Sequence, residues 1–109
     1  MLIKVAEFSK TPYGRTAEDG AFNGERFRIQ KLKPAFQTES EVCVDFNGIA
    51  PPGSSFLHEA FGGLIRFENM TLSQVLSKLH IISDFPLYEI QIRKFLEEEE
   101  RDRLQLEEQ

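Results

Sequence analysis

Short extended apolar segments alternate with helical ones along this chain, and this alternation limits the fold more than any other feature of the sequence. Apolar residues of strand type are concentrated in three short segments, 2–8, 41–46 and 80–83. Apolar residues at helical spacing mark four further segments, which begin near Asn23, Ser54, Thr71 and Pro86. Thr71 can cap the third of these helices. The resulting order of strand, helix, strand, helix, helix, strand, helix predicts an α/β fold. In such a fold, helices cover a small parallel or mixed sheet and the crossovers are right-handed.

A single core has to support the whole fold, because 109 residues are enough for one domain and too few for two. Cys43 is the only cysteine, so no internal disulfide can form. We expect a cytoplasmic protein, since no apolar N-terminal stretch leads to a cleavage site of small residues. No membrane span is expected either, because the apolar runs fall far short of the roughly 20 residues that a spanning helix needs.

The net charge of −5 belongs to the end of the chain. Residues 1–96 carry 11 basic and 11 acidic side chains, whereas residues 97–109 carry two basic and seven acidic ones. A neutral body lacks the basic surface that is typical of nucleic-acid-binding domains, so no nucleic-acid partner is expected. We therefore divide the chain into a domain over 1–96 and the acidic end of a C-terminal helix over 97–109. This end is either a solvated helix face or a surface for homo-oligomer formation.

Pro86 is predicted to lie at or just before the start of the last helix, because proline is well tolerated in the first turn of a helix. Its apolar stripe covers only the first half and consists of Tyr88, Ile92, Phe95 and Leu96. The second half is expected to depend on ion pairs at four-residue spacing, of the kind Glu89/Arg93, Glu97/Arg101 and Glu99/Arg103. Little apolar surface remains beyond Leu96, so this end should leave the core and either fray or meet a partner.

The first long helix is predicted to begin after Asn23, a residue that favours the N-cap position. It follows an irregular segment over 9–23, which is long for a connection in a small domain and typical of a functional loop. Its expected core residues recur at helical spacing and are Ile29, Leu32 and Phe36. Pro34 should end or kink the regular helix near Lys33, because proline in a helix interior costs about 3 kcal/mol, and the helix should then restart for a turn.

The helix that begins near Ser54 is apolar around most of its circumference, which predicts that it is largely buried. Gly62 and Gly63 lie in its middle, where each glycine costs about 1 kcal/mol relative to alanine. A close approach of another backbone at this point would explain their presence.

Ser54 and Ser55 lie where ligands and switch residues gather in folds of this class, beyond the carboxyl end of a strand and at the start of the next helix. A hydroxyl at this place can cap the helix. It can also carry a phosphate, whose added charge of about −1.5 to −2 would face the positive end of the helix dipole. Position alone leaves both interpretations open.

Two segments resemble a known bacterial family. The run VDFNGIAPPGSSFLHEAFGGLIR and the upstream NGERFR are similar to the STAS-like domains of unknown function, which are related in fold to the anti-sigma factor antagonists. The resemblance extends from Val5 to about Phe85. It implies a non-enzymatic regulatory domain that binds a protein partner, such as a histidine-kinase-like ATPase, and is switched by phosphorylation of a serine.

By this resemblance Ser54 is the phosphorylated position, and Ser55 beside it is the competing candidate. The antagonists normally carry an acidic residue directly before that serine, whereas this chain carries Gly53. The resemblance therefore predicts the docking surface more firmly than it predicts phosphorylation.

Several residues are candidates for binding a partner or an anion: Arg15, Arg28, Gly53, His58 and Arg66. The basic residues among them could equally belong to solvated helix faces. Arg28 could instead pair with a carboxylate such as Asp45.

An enzyme or a small anionic-ligand or nucleotide site is the rival hypothesis, and it would use Arg15, Arg28, Ser55 and His58. His58 lies four residues after Ser54, the spacing at which a base can stand beside a nucleophile on one helix face. The sequence identifies no third group that would orient the imidazole, so we predict that the protein is not an enzyme. With two histidines and one cysteine at unsuitable spacing, neither a metal site nor a cofactor is expected.

Overall fold

A computed structural model describes residues 1–108 and has an α/β fold built on a three-stranded parallel sheet. The strands are β1 (Leu2–Lys4), β2 (Val42–Asp45) and β3 (Leu79–Ile82), and they lie in the order β1-β2-β3. The predicted fold class is confirmed, and the sheet is parallel rather than mixed.

Five helical segments connect and follow the strands. They are α1 (Val5–Phe8), α2 (residues 24–38), α3 (residues 53–66), α4 (Leu72–Lys78) and α5 (Pro86–Glu107). Each of the two long crossover helices contains one π-helical turn, at Arg28–Leu32 in α2 and at His58–Gly62 in α3. Such wide turns inside α-helices are uncommon and are frequent at functional sites.

The helices cover one face of the sheet. Ile3, Val44 and Ile81 stand side by side in the strand register and belong to the covered face, whereas the neighbouring row is Leu2, Cys43 and His80. Leu2 and His80 are exposed, while Ile3 and Val44 are buried. This arrangement follows from the strand order, because successive right-handed crossovers that advance in one direction pass over the same face.

Four phenylalanine rings fill the centre of the covered face, and each of them is almost completely buried. They come from α2, the end of β2 and α3, and are Phe27, Phe46, Phe56 and Phe61. The ring centroids of neighbouring members lie between 5.7 and 6.4 Å apart. Because burial of one such side chain contributes about 1.5–3 kcal/mol, this group fixes α2 and α3 against β2.

The strand predicted over 2–8 is only partly confirmed, because it ends at Lys4 and the chain continues as the helical turn α1. Val5 and Phe8 are both buried. Their three-residue separation places both side chains on one face of a helix, whereas a strand would place them on opposite faces. Burial of both therefore favours the helical turn.

Asn23 caps α2 as predicted, since its side-chain oxygen accepts a hydrogen bond from the Arg26 amide. The interruption predicted near Lys33 is found as the π-helical turn Arg28–Leu32, after which the α-helix resumes over Lys33–Thr38. The π-helical turn immediately before Pro34 changes the hydrogen-bonding register, which is how a helix can accept a residue without an N–H group. The same change explains why Ile29, a predicted core residue, is half-exposed.

The capping residue of α4 is Thr71, as predicted, and it forms a reciprocal capping box with Gln74. In α5, the predicted apolar stripe is confirmed by the burial of Tyr88, Ile92 and Leu96. The predicted ion pairs are wrong. The pairs along the helix are Arg93–Glu97, Arg103–Glu100 and Arg103–Glu107, whereas Glu99 is buried against α3.

Glu100 joins α4 to α5. Its carboxylate accepts a hydrogen bond from Arg103 Nε at 2.6 Å and one from the Leu72 amide at 3.1 Å. The Leu72 amide belongs to the first turn of α4, where backbone donors lack partners within the helix. The hydrogen bond from Arg103, followed by the one from Leu72, holds the pKa of Glu100 below its usual value, although burial acts in the opposite direction.

Replacing Glu100 by glutamine is expected to lower stability at neutral pH and to matter little in acid. A carboxylate whose folded-state pKa is lowered stabilises the protein above its unfolded-state pKa, about 4.3 for glutamate. That contribution is lost as the pH falls through the folded-state value. Thermal unfolding of Glu100→Gln and of the parent chain should therefore differ most at neutral pH and converge near pH 3 or below.

The matched control is Glu98→Gln, because Glu98 makes neither of the two hydrogen bonds of Glu100. A difference in Tm between the parent and Glu100→Gln that stays constant with pH would contradict the assigned role of the carboxylate charge.

Candidate functional site

The turn before α3 depends on Gly53. Its φ is +80°, in the left-handed region that non-glycine residues seldom adopt, and a side chain there would meet no neighbouring atom within 4 Å. Backbone conformation, rather than lack of space, therefore explains a glycine at this position. Pro52 occupies the N-cap position, and no side chain caps the helix.

Ser54 and Ser55 are both exposed in the first turn of α3. Neither hydroxyl caps the helix, and among residues 1–108 neither forms a side-chain hydrogen bond with the rest of the protein. The two serines lie beyond the carboxyl end of β2, at the start of the helix that follows it. Their hydroxyl groups therefore face solvent.

The loop that leads to these serines is fixed by hydrogen bonds from both sides. The Asn47 side chain accepts a hydrogen bond from the Asp84 amide at 3.0 Å, after β3. The Ala50 amide donates to the Lys10 carbonyl at 2.8 Å, after α1. Because the loop is tied to both edges of the sheet, the surface that carries Gly53, Ser54 and Ser55 is held in place. We call this surface the amino end of α3.

Arg28 lies elsewhere, between α2 and α3, and only 3% of its surface is exposed. Its Nη1 donates to the backbone oxygen of Glu59 at 2.5 Å and to the Glu59 carboxylate at 2.7 Å. Its Nε donates to Glu68 at 3.0 Å, and Lys33 reaches the other oxygen of Glu68 at 3.1 Å. These partners replace Asp45, the one that the sequence analysis considered. The guanidinium of Arg28 is thus held by partners inside the protein and cannot bind an external anion.

Side chains, not a neighbouring backbone, explain the adjacent glycines Gly62 and Gly63 in the middle of α3. A Cβ atom on Gly63 would overlap the guanidinium of Arg28. A Cβ on Gly62 would lie 2.8 Å from Cδ2 of His58 and 3.2 Å from Cγ of Glu99. The expected close approach of a backbone occurs instead at Gly24, where a Cβ would lie 2.6 Å from the backbone oxygen of Phe56.

A second group of charged side chains gathers around His58 and is called the His58 cluster, made of Arg15, His58, Arg66 and Glu99. Arg15 Nη2 lies 3.4 Å from Nδ1 of His58, and Nε2 of His58 lies 3.5 Å from Glu99. Arg66 lies 3.8 Å from the same carboxylate oxygen. Only 6% of the surface of Glu99 is exposed, so this carboxylate balances the nearby positive charges from inside the protein.

The contacts of His58 differ from those of a base beside a nucleophile. Its imidazole stacks on Phe95 with ring centroids 4.7 Å apart, and its two nitrogens face Arg15 and Glu99 rather than the hydroxyl of Ser54 or Ser55. The carboxylate of Glu99 beside the imidazole was not predicted, because Glu99 lies 41 positions after His58 in the sequence and its local pattern favoured a pair with Arg103.

The space enclosed by the His58 cluster and Gly63 is small. Its volume is about 10 Å³, which is room for about one water molecule. Glu59 also lines it, and the carboxylates of Glu59 and Glu99 offset the charges of Arg15 and Arg66. Ser55 does not line this space, so the residues of the rival ligand hypothesis are not assembled into one pocket.

Arg28 and Arg15 should respond very differently to replacement by alanine. Arg28→Ala leaves the largely buried carboxylates of Glu59 and Glu68 without their main partner, a change that typically costs about 3–5 kcal/mol of the free energy of unfolding. Arg15→Ala removes an exposed guanidinium and should cost about 0.5 kcal/mol or less. Urea denaturation of both variants measures the two costs.

A large cost for Arg28→Ala and a small one for Arg15→Ala would show that Arg28 stabilises the fold and that Arg15 does not. Equal losses in the two variants, or a loss for Arg28→Ala of no more than about 0.5 kcal/mol, would contradict that assignment.

Within the described residues 1–108, no group of three histidine, cysteine, aspartate or glutamate side chains is placed to hold a metal ion. No helix in this part of the chain is long and apolar enough to cross a membrane.

Comparison with known protein families gives a match over more than half of the chain. Residues 23–86, more than half of the 109, match the sequence model of the STAS-like domains of unknown function. No curated protein and no solved structure matches the chain. The matched region extends from the N-cap of α2 to the first residue of α5, and it includes the amino end of α3.

Proposed function

We propose that this chain, which belongs to the family of STAS-like domains of unknown function, is a non-enzymatic regulatory domain that binds a protein partner through the amino end of α3. Phosphorylation of Ser54 or Ser55 is the switch of this interaction. By resemblance to the anti-sigma factor antagonists, the partner class is a histidine-kinase-like ATPase or a related bacterial regulator.

One observation carries this proposal. Ser54 and Ser55 are exposed in the first turn of a largely buried helix, yet neither hydroxyl caps that helix. Serines at helix starts are commonly retained as caps, and removal of such a cap costs about 1 kcal/mol. Here that structural role is absent, so two adjacent surface hydroxyls are available for contact and for modification.

The physics of the site fits a phosphate. A phosphoserine carries a charge of about −1.5 to −2, and at the first turn of a helix this charge faces the positive end of the helix dipole. Modification would therefore be tolerated by the fold itself. In a close contact with another protein, the same charge would have to be desolvated, and the affinity would fall.

Gly53 gives the surface a particular shape. Because its left-handed φ disfavours other residues, an acidic residue at this position would strain the turn. The antagonists carry an acidic residue at this position, whereas the turn in this chain requires glycine. Recognition of the serines would then depend on this turn rather than on a negative charge beside them.

The proposal is tested by phosphorylation in a lysate of the source organism and by charge substitution. After incubation with ATP and a lysate of the source organism, intact-mass and peptide mass spectrometry should find one phosphate on Ser54 or Ser55. The double variant Ser54→Ala/Ser55→Ala should remain unmodified. Phosphate that appears only at other positions, or at none, would contradict the switch.

Binding is tested with the aspartate variants Ser54→Asp and Ser55→Asp. Acidic residues in the first turn typically stabilise a helix by about 0.3–1 kcal/mol, so these variants should keep the Tm of the parent or exceed it. At least one of them should lose a partner that co-purifies with the parent chain.

Ser73→Asp is the matched control, because Ser73 is also an exposed serine in the first turn of a helix, here α4. Retention of the partner by both test variants, or its loss with Ser73→Asp as well, would refute the proposed docking surface.

A further inference from the structure

The side of α5 that faces away from the core carries a regular stripe of exposed residues. The buried residues of this helix, including Ile92 and Leu96, face the other way. At about 100° per residue, six exposed positions fall on the opposite side and form what we call the outer stripe: Leu87, Ile90, Lys94, Glu97, Arg101 and Leu104. Leu87, Ile90 and Leu104 are 57%, 63% and 45% exposed, which is unusual for aliphatic side chains that lie along one line.

The outer stripe has the spacing of a coiled-coil seam. Its members are separated alternately by three and four residues, as are the a and d positions of a heptad repeat. In an antiparallel pair of such helices, each a position faces a d position of the partner helix. The stripe read from Leu87 to Leu104 can therefore be compared, position by position, with the same stripe read from Leu104 to Leu87.

The stripe is complementary to a second copy of itself. If two copies of α5 pack in antiparallel orientation with the two-fold axis between residues 95 and 96, Lys94 of each copy faces Glu97 of the other. Leu87 then faces Leu104 at both ends, and Ile90 lies under the aliphatic part of Arg101. From this complementarity we propose that the chain forms an isologous antiparallel dimer through the outer stripe of α5.

A two-fold interface requires each patch to complement itself, and an unrelated partner would impose no such symmetry on the sequence of α5. The symmetry is the observation that favours a second copy over another occupant.

The size of the stripe sets the expected affinity. It extends over about 26 Å of helix, since 17 residue steps rise about 1.5 Å each. A contact along one such helix face is small compared with stable dimer interfaces, which bury about 800 Å² on each partner. We therefore expect a weak dimer whose population rises with protein concentration and falls with salt, because salt screens the pairs of opposite charge.

This inference is independent of the proposed function. The outer stripe lies beyond the family match, which ends at residue 86, and includes neither Ser54 nor Ser55. Dimer formation would present two copies of the amino end of α3 in one particle.

Charge reversal tests the pairing directly. The parent chain should show a monomer–dimer equilibrium in sedimentation velocity between about 10 μM and 1 mM, the range expected for small interfaces. Lys94→Glu places glutamates opposite each other, and Glu97→Lys places lysines opposite each other. Each variant alone should bind itself at least about tenfold more weakly than the parent.

A mixture of the two variants is the decisive experiment. In the mixed pair, both glutamates of one chain face both lysines of the other, so an equimolar mixture should regain the dimer. Circular dichroism and Tm of each variant show that α5 is still folded. Lys10→Glu is the matched control, because it reverses the charge of an exposed lysine outside α5 and should leave the dimer unchanged.

A parent chain that is monomeric at about 1 mM would overturn the proposal. So would single variants that dimerise as the parent does, or a mixture that is no more dimeric than its two components.

Discussion

The buried guanidinium of Arg28 determines how the two crossover helices meet. It begins the π-helical turn of α2, and its strongest partner, Glu59, lies in the π-helical turn of α3. A charge in the interior is tolerated only when it is neutralised and hydrogen-bonded, and Glu59 and Glu68 meet both conditions. Gly63 leaves the space that the guanidinium occupies. These contacts orient α3, and with it the amino end that carries Ser54 and Ser55.

The order of the strands determines which surfaces remain free. Because the three parallel strands follow the chain order, the helices cover one face of the sheet. The loop before α3 begins at the carboxyl end of β2, the central strand. Hydrogen bonds to Lys10 and Asp84 fix that loop. The outer stripe of α5 is a separate surface. The domain thus has one place suited to a switchable partner and another suited to a second copy of itself.

Local signals predicted most of the elements, because caps and periodicity act over three or four residues. Asn23 and Thr71 cap their helices as expected, and β2 is the central strand. The partners of Arg28 could not be predicted, because they lie 31 and 40 residues away in the sequence and are brought near only by the packed core. The same holds for Glu99 beside His58. The π-helical turns have no recognised sequence signal, so the burial of Arg28 and the exposure of Ile29 were missed.

The most direct test of the role of Arg28 is a double-mutant cycle with Gly63, measured as free energies of unfolding in urea. Gly63→Ala in the parent chain should cost about 1–3 kcal/mol, because the added Cβ overlaps the guanidinium. In an Arg28→Lys background, which keeps the charge and Cδ but removes the planar group, the same change should cost at least about 1 kcal/mol less, because only the 2.9 Å approach to Cδ remains. Costs that are equal in the two backgrounds within about 0.5 kcal/mol would show that Arg28 does not dictate the glycine, and would contradict the account.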